Sequence, residues 1–156
     1  DMGYNFIPSE ISAAFALEQL KKLKTIVKIR IKNFRFLKSF FQQYPNFFRV
    51  PIQQDKVKTG WLAYPVLLKN NTDFSREDLQ IYLEKNGIQT RPIFTGNILR
   101  QPLMKNRYYK KHKKAHEISD DVMKNGILIG CHHGLVKRDL LYIKNTIEQF
   151  LNKYKN

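Results

Sequence analysis

Apolar residues recur three and four apart from Ala16 through Leu20, Leu23, Val27, Ile31, Phe34, Leu37 and Phe41. That spacing is the period of one helix face and predicts one helix, or two in line, from Ser9 to about Gln43. Lys21, Lys28, Lys32, Arg35 and Lys38 are among the charged neighbours of the stripe. Ser9 is placed to cap the first exposed N–H groups, Glu10 complements the N-terminal dipole, and Tyr44-Pro45-Asn46 ends the run. Unbroken, such a helix measures about 50 Å. A globule of 156 residues does not need that length; a helix bridging two domains or supporting a subunit interface does.

The period then changes. Trp61 to Leu68 reads as a buried strand, with Pro65 arguing for an edge position or a bulge. Ser75 caps a second helix through Leu83, with Glu77 and Asp78 in its first turn and Gly87 as a left-handed stop. Ile88 to Phe94 returns as a strand, so the three elements form a β–α–β unit. Ser119 to Lys124 is a short helix closed by Asn125-Gly126, and Ile127 to Gly130 is a third strand. A last helix runs from about Lys137 to Tyr154, with Leu140, Leu141, Ile147, Phe150 and Leu151 on its inner side. The predicted fold is α+β: a long N-terminal helix, then a small, mostly antiparallel sheet with helices on one face. Residues 1–45 form a helical segment between domains or at a dimer interface, and residues 46–156 a small C-terminal domain.

Composition narrows the function classes. With 42% hydrophobic residues, including eleven Phe and eight Tyr, the chain has the bulk for a core, which excludes disorder as its overall state. No run approaches the roughly 20 apolar residues of a membrane span, and no signal peptide opens the chain, so a soluble, cytoplasmic protein without membrane partners is expected. The single cysteine, Cys131, excludes an internal disulfide or a four-cysteine metal site within this chain. The chain starts at Asp1, without a polar leader, and reads as a piece of a longer protein.

The formal charge of +15 raises the question of a polyanionic partner. Twenty of the 28 basic residues are Lys and only eight are Arg, the residue that base readout and bidentate phosphate clamping favour. The one dense cluster, Lys110 to Lys114 beside Tyr108 and Tyr109, reads as a solvated face. A basic nucleic-acid-binding module is therefore a distant alternative. Attraction of an anionic small molecule such as a nucleotide diphosphate is the milder one.

Candidate chemistry is sparse. His132 and His133 adjoin Cys131, but consecutive residues at a strand end point to opposite sides, so a turn is preferred to a metal site. Thr90 to Pro102 is denser: a strand ends in the Gly96-Asn97 turn, with Arg91 and Arg100 flanking it beside Thr95 and Gln101. Such a set could bind a sugar or diphosphate, or could simply satisfy the loop's own backbone. Gly3-Tyr4-Asn5, ahead of the helix, is either a simple turn or a place for Asn5 to donate to an anion.

Taken in order, these segments resemble the C-terminal portion of the DegT/StrS family, the vitamin-B6-dependent nucleotide-sugar aminotransferases and dehydratases. Four stretches carry the resemblance: Gly3-Tyr4-Asn5 with Ser9 to Ala14 and Gln19-Leu20; Trp61 to Leu68; Thr90 to Pro102; and Asn125 to Leu135. The third and fourth resemble the branch that dehydrates NDP-4-keto-6-deoxyhexoses at C3. The resemblance implies a fold type I homodimer, associated through the N-terminal helical segment. Pyridoxal or pyridoxamine phosphate would be held mainly by an upstream domain, with none expected on this fragment.

The family's cofactor-facing residue, Lys in aminotransferases and His in dehydratases, lies upstream, so no catalytic residue is expected in this chain and the isolated fragment is expected to be inactive. Asn5 matches the asparagine that reaches the partner subunit's cofactor phosphate. Arg91, Asn97, Arg100 and Gln101 fall where the small domain faces the nucleotide-sugar pocket. The implied reaction is C3 dehydration in deoxysugar and lipopolysaccharide O-antigen biosynthesis, with transamination of a nucleotide sugar as the alternative. Some dehydratases of the family also hold an iron–sulfur cluster on upstream cysteines.

Overall fold

The computed structural model describes residues 9–94, 96–109 and 116–154. Helix α1 runs unbroken over Glu10–Phe41, 32 residues, or about 48 Å. Ser9 occupies the N-cap position with extended backbone, but its side chain makes no capping bond. The apolar stripe of α1 meets two environments. From Asn33 onward it is buried, through Phe34, Leu37, Phe40 and Phe41. Before that, Phe15 is 68% exposed, Leu20 62% and Leu23 48%.

The sheet contains β1 (Phe48–Arg49), β2 (Ala63–Leu68), β3 (Thr90–Pro92) and β4 (Gly126–Gly130), in the order β1-β2-β4-β3 with every pairing antiparallel. Strands β2 and β3 thus run parallel with β4 between them, so the β–α–β unit is split by the last strand. β1 is too short to leave a periodic signal and was not expected. The reading of Pro65 as an edge residue is corrected: β2 is interior and Pro65 pairs with Leu128. Proline is tolerated there because β1 pairs only with Leu67 and Leu68, so β2 has no neighbour beside Pro65 on that side.

Strand β2 also alternates rather than burying continuously. Tyr64, Val66 and Leu68 face inward while Ala63, Pro65 and Leu67 are half-buried, and the strand begins at Ala63, not Trp61. The expected strand over Ile88 to Phe94 shrinks to β3, because β4 offers partners only to Thr90, Arg91 and Pro92.

Helix α2 (Arg76–Lys85) opens with a capping box in which Ser75 and Asp78 bond reciprocally, and Gly87 follows it at φ +72°. Helix α4 (Lys137–Leu151) ends three residues before the expected Tyr154. Its inner side is Leu140, Ile143, Thr146, Ile147, Phe150 and Leu151; Leu141, expected inside, is 38% exposed. Helices α1, α2 and α4 supply one core with the inward face of β2 and β4, where Tyr64 pairs with Ile129 and Val66 with Ile127. Helix α3 (Glu117–Asn125) passes directly into β4. Gly126 closes α3 in an extended conformation; a Cβ there would lie 2.5 Å from the Val122 carbonyl oxygen and 2.6 Å from Ile93 Cδ1. Arg49, which alternates away from buried Phe48, grips Asp121 of α3 with bonds of 2.6 and 2.9 Å. Among the described residues no helix is long and apolar enough to cross a membrane.

At the centre, the Tyr64 ring stacks on Phe41 (5.2 Å, 10°) and tilts against Phe34, which in turn stacks on Trp61 (4.0 Å, 10°). The Tyr64 hydroxyl is fully buried without a hydrogen-bond partner among the described residues, and burial raises its pKa. An unmet buried hydroxyl is destabilising. Replacing it in Tyr64→Phe is expected to raise thermal stability by about 1 kcal/mol, read from the melting temperature. A clear loss of stability would mean that the hydroxyl has a partner.

Candidate functional site

The site grows from the outer end of the sheet. Thr90 is buried, and its N–H and hydroxyl both donate to Glu84 Oε1 at 2.8 Å. These two bonds, with Arg91 nearby, hold the Glu84 carboxyl below its usual pKa. They fix the start of β3, and strand alternation then turns the Arg91 side chain outward to an exposed position. Among the described residues no carboxylate forms an ion pair with the Arg91 guanidinium within 4 Å.

Beyond the strand, Phe94 has φ +48° and its ring is 85% exposed. Such a backbone is uncommon for an aromatic residue. The N–H of Gly96 donates to the Ile93 carbonyl at 3.1 Å, closing a turn. Gly96 itself has φ +67°, and a Cβ on it would sit 2.2 Å from Met123 Cγ, so both conformation and space require glycine.

Asn97 is 4% exposed. Its Oδ1 accepts from the Leu99 N–H at 3.0 Å, its Nδ2 donates to Asp120 Oδ1 at 2.8 Å, and its own N–H donates to Met123 Sδ at 3.4 Å. Arg100 also reaches Asp120, through Nε to Oδ1 at 3.0 Å and a terminal nitrogen to Oδ2 at 2.5 Å. Those donors hold the Asp120 carboxyl well down, to about 2, the Arg100 bonds contributing most and Asn97 next. Ile98–Arg100 and Pro102–Met104 are single 3₁₀ turns, and Gln101 joins them, its N–H donating to the Ile98 carbonyl at 3.0 Å.

The structure therefore sorts the expected substrate residues. Asn97 and Arg100 are brought together on Asp120, Gln101 lies at the junction of the two turns, and Arg91 stands outward on the strand. Asn5, Thr95 and the Lys110 to Lys114 cluster lie outside the described residues. Glu84, Asp120 and Met123 were not foreseen. Only the position of Asp120 in the first turn of a helix was visible, and that pattern is common to most helices.

The Cys131-His132-His133 segment forms a turn after β4, as expected. Leu135 N–H donates to the His132 carbonyl, His132 Nδ1 accepts from Gly134 N–H at 3.2 Å, and buried Asn33 donates to the carbonyls of His132 and Leu135. Cys131 is fully buried beneath it, its Sγ 3.6 Å from the Trp61 carbonyl oxygen.

A long helix leading into a small split sheet with an outward-facing turn is the architecture of the small domain of fold type I pyridoxal phosphate enzymes. The chain belongs to the DegT/DnrJ/EryC1/StrS aminotransferase family, whose model matches residues 1–148. It is 35% identical over 135 residues to GDP-4-keto-6-deoxy-D-mannose 3-dehydratase of Yersinia pseudotuberculosis, covering 83% of this chain and 32% of that protein. It is 31% identical over 151 residues to the lipopolysaccharide biosynthesis protein RfbH of Salmonella typhimurium, covering 96% of this chain and 34% of that one. Among solved structures, a GDP-4-keto-6-deoxymannose-3-dehydratase with bound GDP-perosamine superposes with a TM-score of 0.82 at 30% identity, covering 94% of this chain and 37% of that one. The chain spans about a third of the length of these relatives.

Burial moves the Cys131 thiol up to about 11. Its neutral form is thus favoured, and thiolate accumulates only as pH rises through that value. At pH 8 the native protein should resist alkylation by iodoacetamide and react only after denaturation. Rapid labelling of the folded chain would contradict this placement.

Proposed function

We propose that the protein containing this chain carries out pyridoxal- or pyridoxamine-phosphate-dependent C3 dehydration of a nucleotide-linked 4-keto-6-deoxyhexose. This chain is its C-terminal part, with residues 1–45 linking domains or subunits and residues 46–156 closing over the substrate. The observation that carries the reading is the outward Arg91 at the end of β3, beside a turn of the same order, Thr-Arg through Gly-Asn to Arg-Gln-Pro, that marks the dehydratase branch. The identities of about 30% or more to two dehydratases support it.

When bound, the cofactor supplies the electron sink that a C3 elimination needs. Asn5 is the residue assigned to the cofactor phosphate, and its amide suits an anion there. The described residues are assigned no part in holding the cofactor. Arg91 presents a permanent cation with paired donors, which suits a diphosphate. Arg100 and Gln101 line the turn behind it, and Asn97 shapes that turn. The Lys or His that meets the cofactor lies upstream, so this chain alone binds and orients but does not turn over. The assignment places the protein in the cytoplasm, in deoxysugar supply for lipopolysaccharide O-antigen, as a homodimer. Transamination is the second reading, favoured by the aminotransferase description of the family itself.

The test is to incubate the full-length protein with an NDP-4-keto-6-deoxyhexose, pyridoxal phosphate and an amino donor, and to analyse the sugar by mass spectrometry. Loss of the C3 hydroxyl as water is expected; an amine in place of the keto oxygen would give the second reading, and no change would refute both. In Arg91→Ala the KM for the nucleotide sugar is expected to rise about tenfold or more, as for loss of a charged hydrogen bond.

Expressed alone, the chain exposes Ile11, Phe15, Leu17, Leu20 and Leu23 along α1. Concentration-dependent self-association in light scattering is expected, suppressed in Phe15→Glu. A concentration-independent monomer would argue against the assignment of residues 1–45.

A further inference from the structure

We propose that Asp120 is a positioning residue for the substrate-facing turn, fastening Gly96–Gln101 to α3 so that Arg91 and Phe94 are the groups presented to the nucleotide sugar. The inference rests on the function proposed above. Both Asp120 carboxylate oxygens are spent on the turn: Oδ1 accepts from Asn97 and Arg100, and Oδ2 from Arg100. Without that carboxylate, the amide of nearly buried Asn97 loses its acceptor and Arg100 loses its counter-charge.

Three residues along α3, on the same side of the helix, Met123 supplies the second fastening. It fills the space over Gly96 and accepts the Asn97 N–H. The turn is therefore keyed to one face of α3 at two points, by charge and by shape. The backbone it holds includes Phe94 in the left-handed region with its ring in solvent. An isolated loop would relax such a residue and bury the ring. A strained residue held by its surroundings points to use of the conformation. A flat apolar ring three residues from an outward guanidinium suits a nucleobase and its diphosphate.

The roles expected for Asn97 and Arg100 shift accordingly. Their hydrogen-bonding groups act first on Asp120, and through it on the shape of the turn, whereas the exposed Arg91 guanidinium has no ion-paired carboxylate among the described residues.

Asp120→Asn and Asp120→Ala, made in the full-length protein, test this. In Asp120→Ala the KM for the nucleotide sugar should rise about tenfold, the scale of a lost charged hydrogen bond, with kcat at saturating sugar nearly unchanged. Asp120→Asn, which keeps one acceptor oxygen, should fall between. Combining Asp120→Ala with Arg100→Ala should add little to either alone. Independently of activity, hydrogen exchange at Gly96, Leu99 and Arg100 amides should quicken in Asp120→Ala while the amides of β2 and α4 exchange as in the parent. Unchanged exchange at these amides overturns the proposal, as does an unchanged KM in a protein whose parent is active. A parent inactive on the sugar refutes the proposed function instead, and exchange alone then decides the role of Asp120.

Discussion

The aromatic stack of Phe34, Phe41, Tyr64 and Trp61 joins the far half of α1 to the central strands of the sheet, and the remaining elements are arranged around that joint. Tyr64 pairs across to Ile129, so the seat of α1 also sets the register of β4. Among the described residues β4 in turn is the only partner of β3. A slip of one residue at this joint would turn every inward side chain of β2 outward. The outer end of the sheet, where Arg91 stands, therefore inherits its position from a helix on the other side of the core.

Two kinds of fastening complete that transmission. Glu84, near the end of α2, takes both donors of Thr90 and starts β3 at a fixed residue. Arg49 and Asp121 tie α3 to the outer strand from behind, while Asp120, the next residue, holds the turn after β3. Consecutive carboxylates on one short helix thus face two different clients, because neighbouring helix positions point about 100° apart. α3 thus links the far edge of the sheet to the turn after β3.

Much of this was legible in the chain, for identifiable reasons. Helices α1, α2 and α4 announced themselves through long apolar periods and, for α2, through the Ser75 to Asp78 box and Gly87. β4 was legible because Ile127, Leu128 and Ile129 have no other plausible use. What stayed hidden depends on partners distant in sequence. β1 is two residues long and exists only because Leu67 and Leu68 face it. The tolerance for Pro65 follows from the shortness of β1, which no local pattern reveals. Asn97 and Arg100 read equally well as ligand contacts or as internal bonds, since an amide and a guanidinium suit both. The internal partner that both side chains bond, Asp120, lies 23 and 20 residues away.

The near half of α1 is held by different forces from the far half. Of the eight basic residues from Lys21 to Lys38, only Lys21 and Lys22 have an acidic residue three or four positions away, Glu18, and Lys21 pairs with it. Lys24, Lys28 and Lys32 follow at intervals of four, a like-charge spacing that weakens an isolated helix by about 0.2–0.5 kcal/mol per pair. The exposed Phe15, Leu20 and Leu23 contribute little burial. Nucleation is the costly step in helix formation, and the buried turn from Asn33 to Phe41 supplies it at no further expense. The remaining turns propagate from there, which is why an apolar face can stand extended, in order and uncovered, on the side of α1 that continues the core.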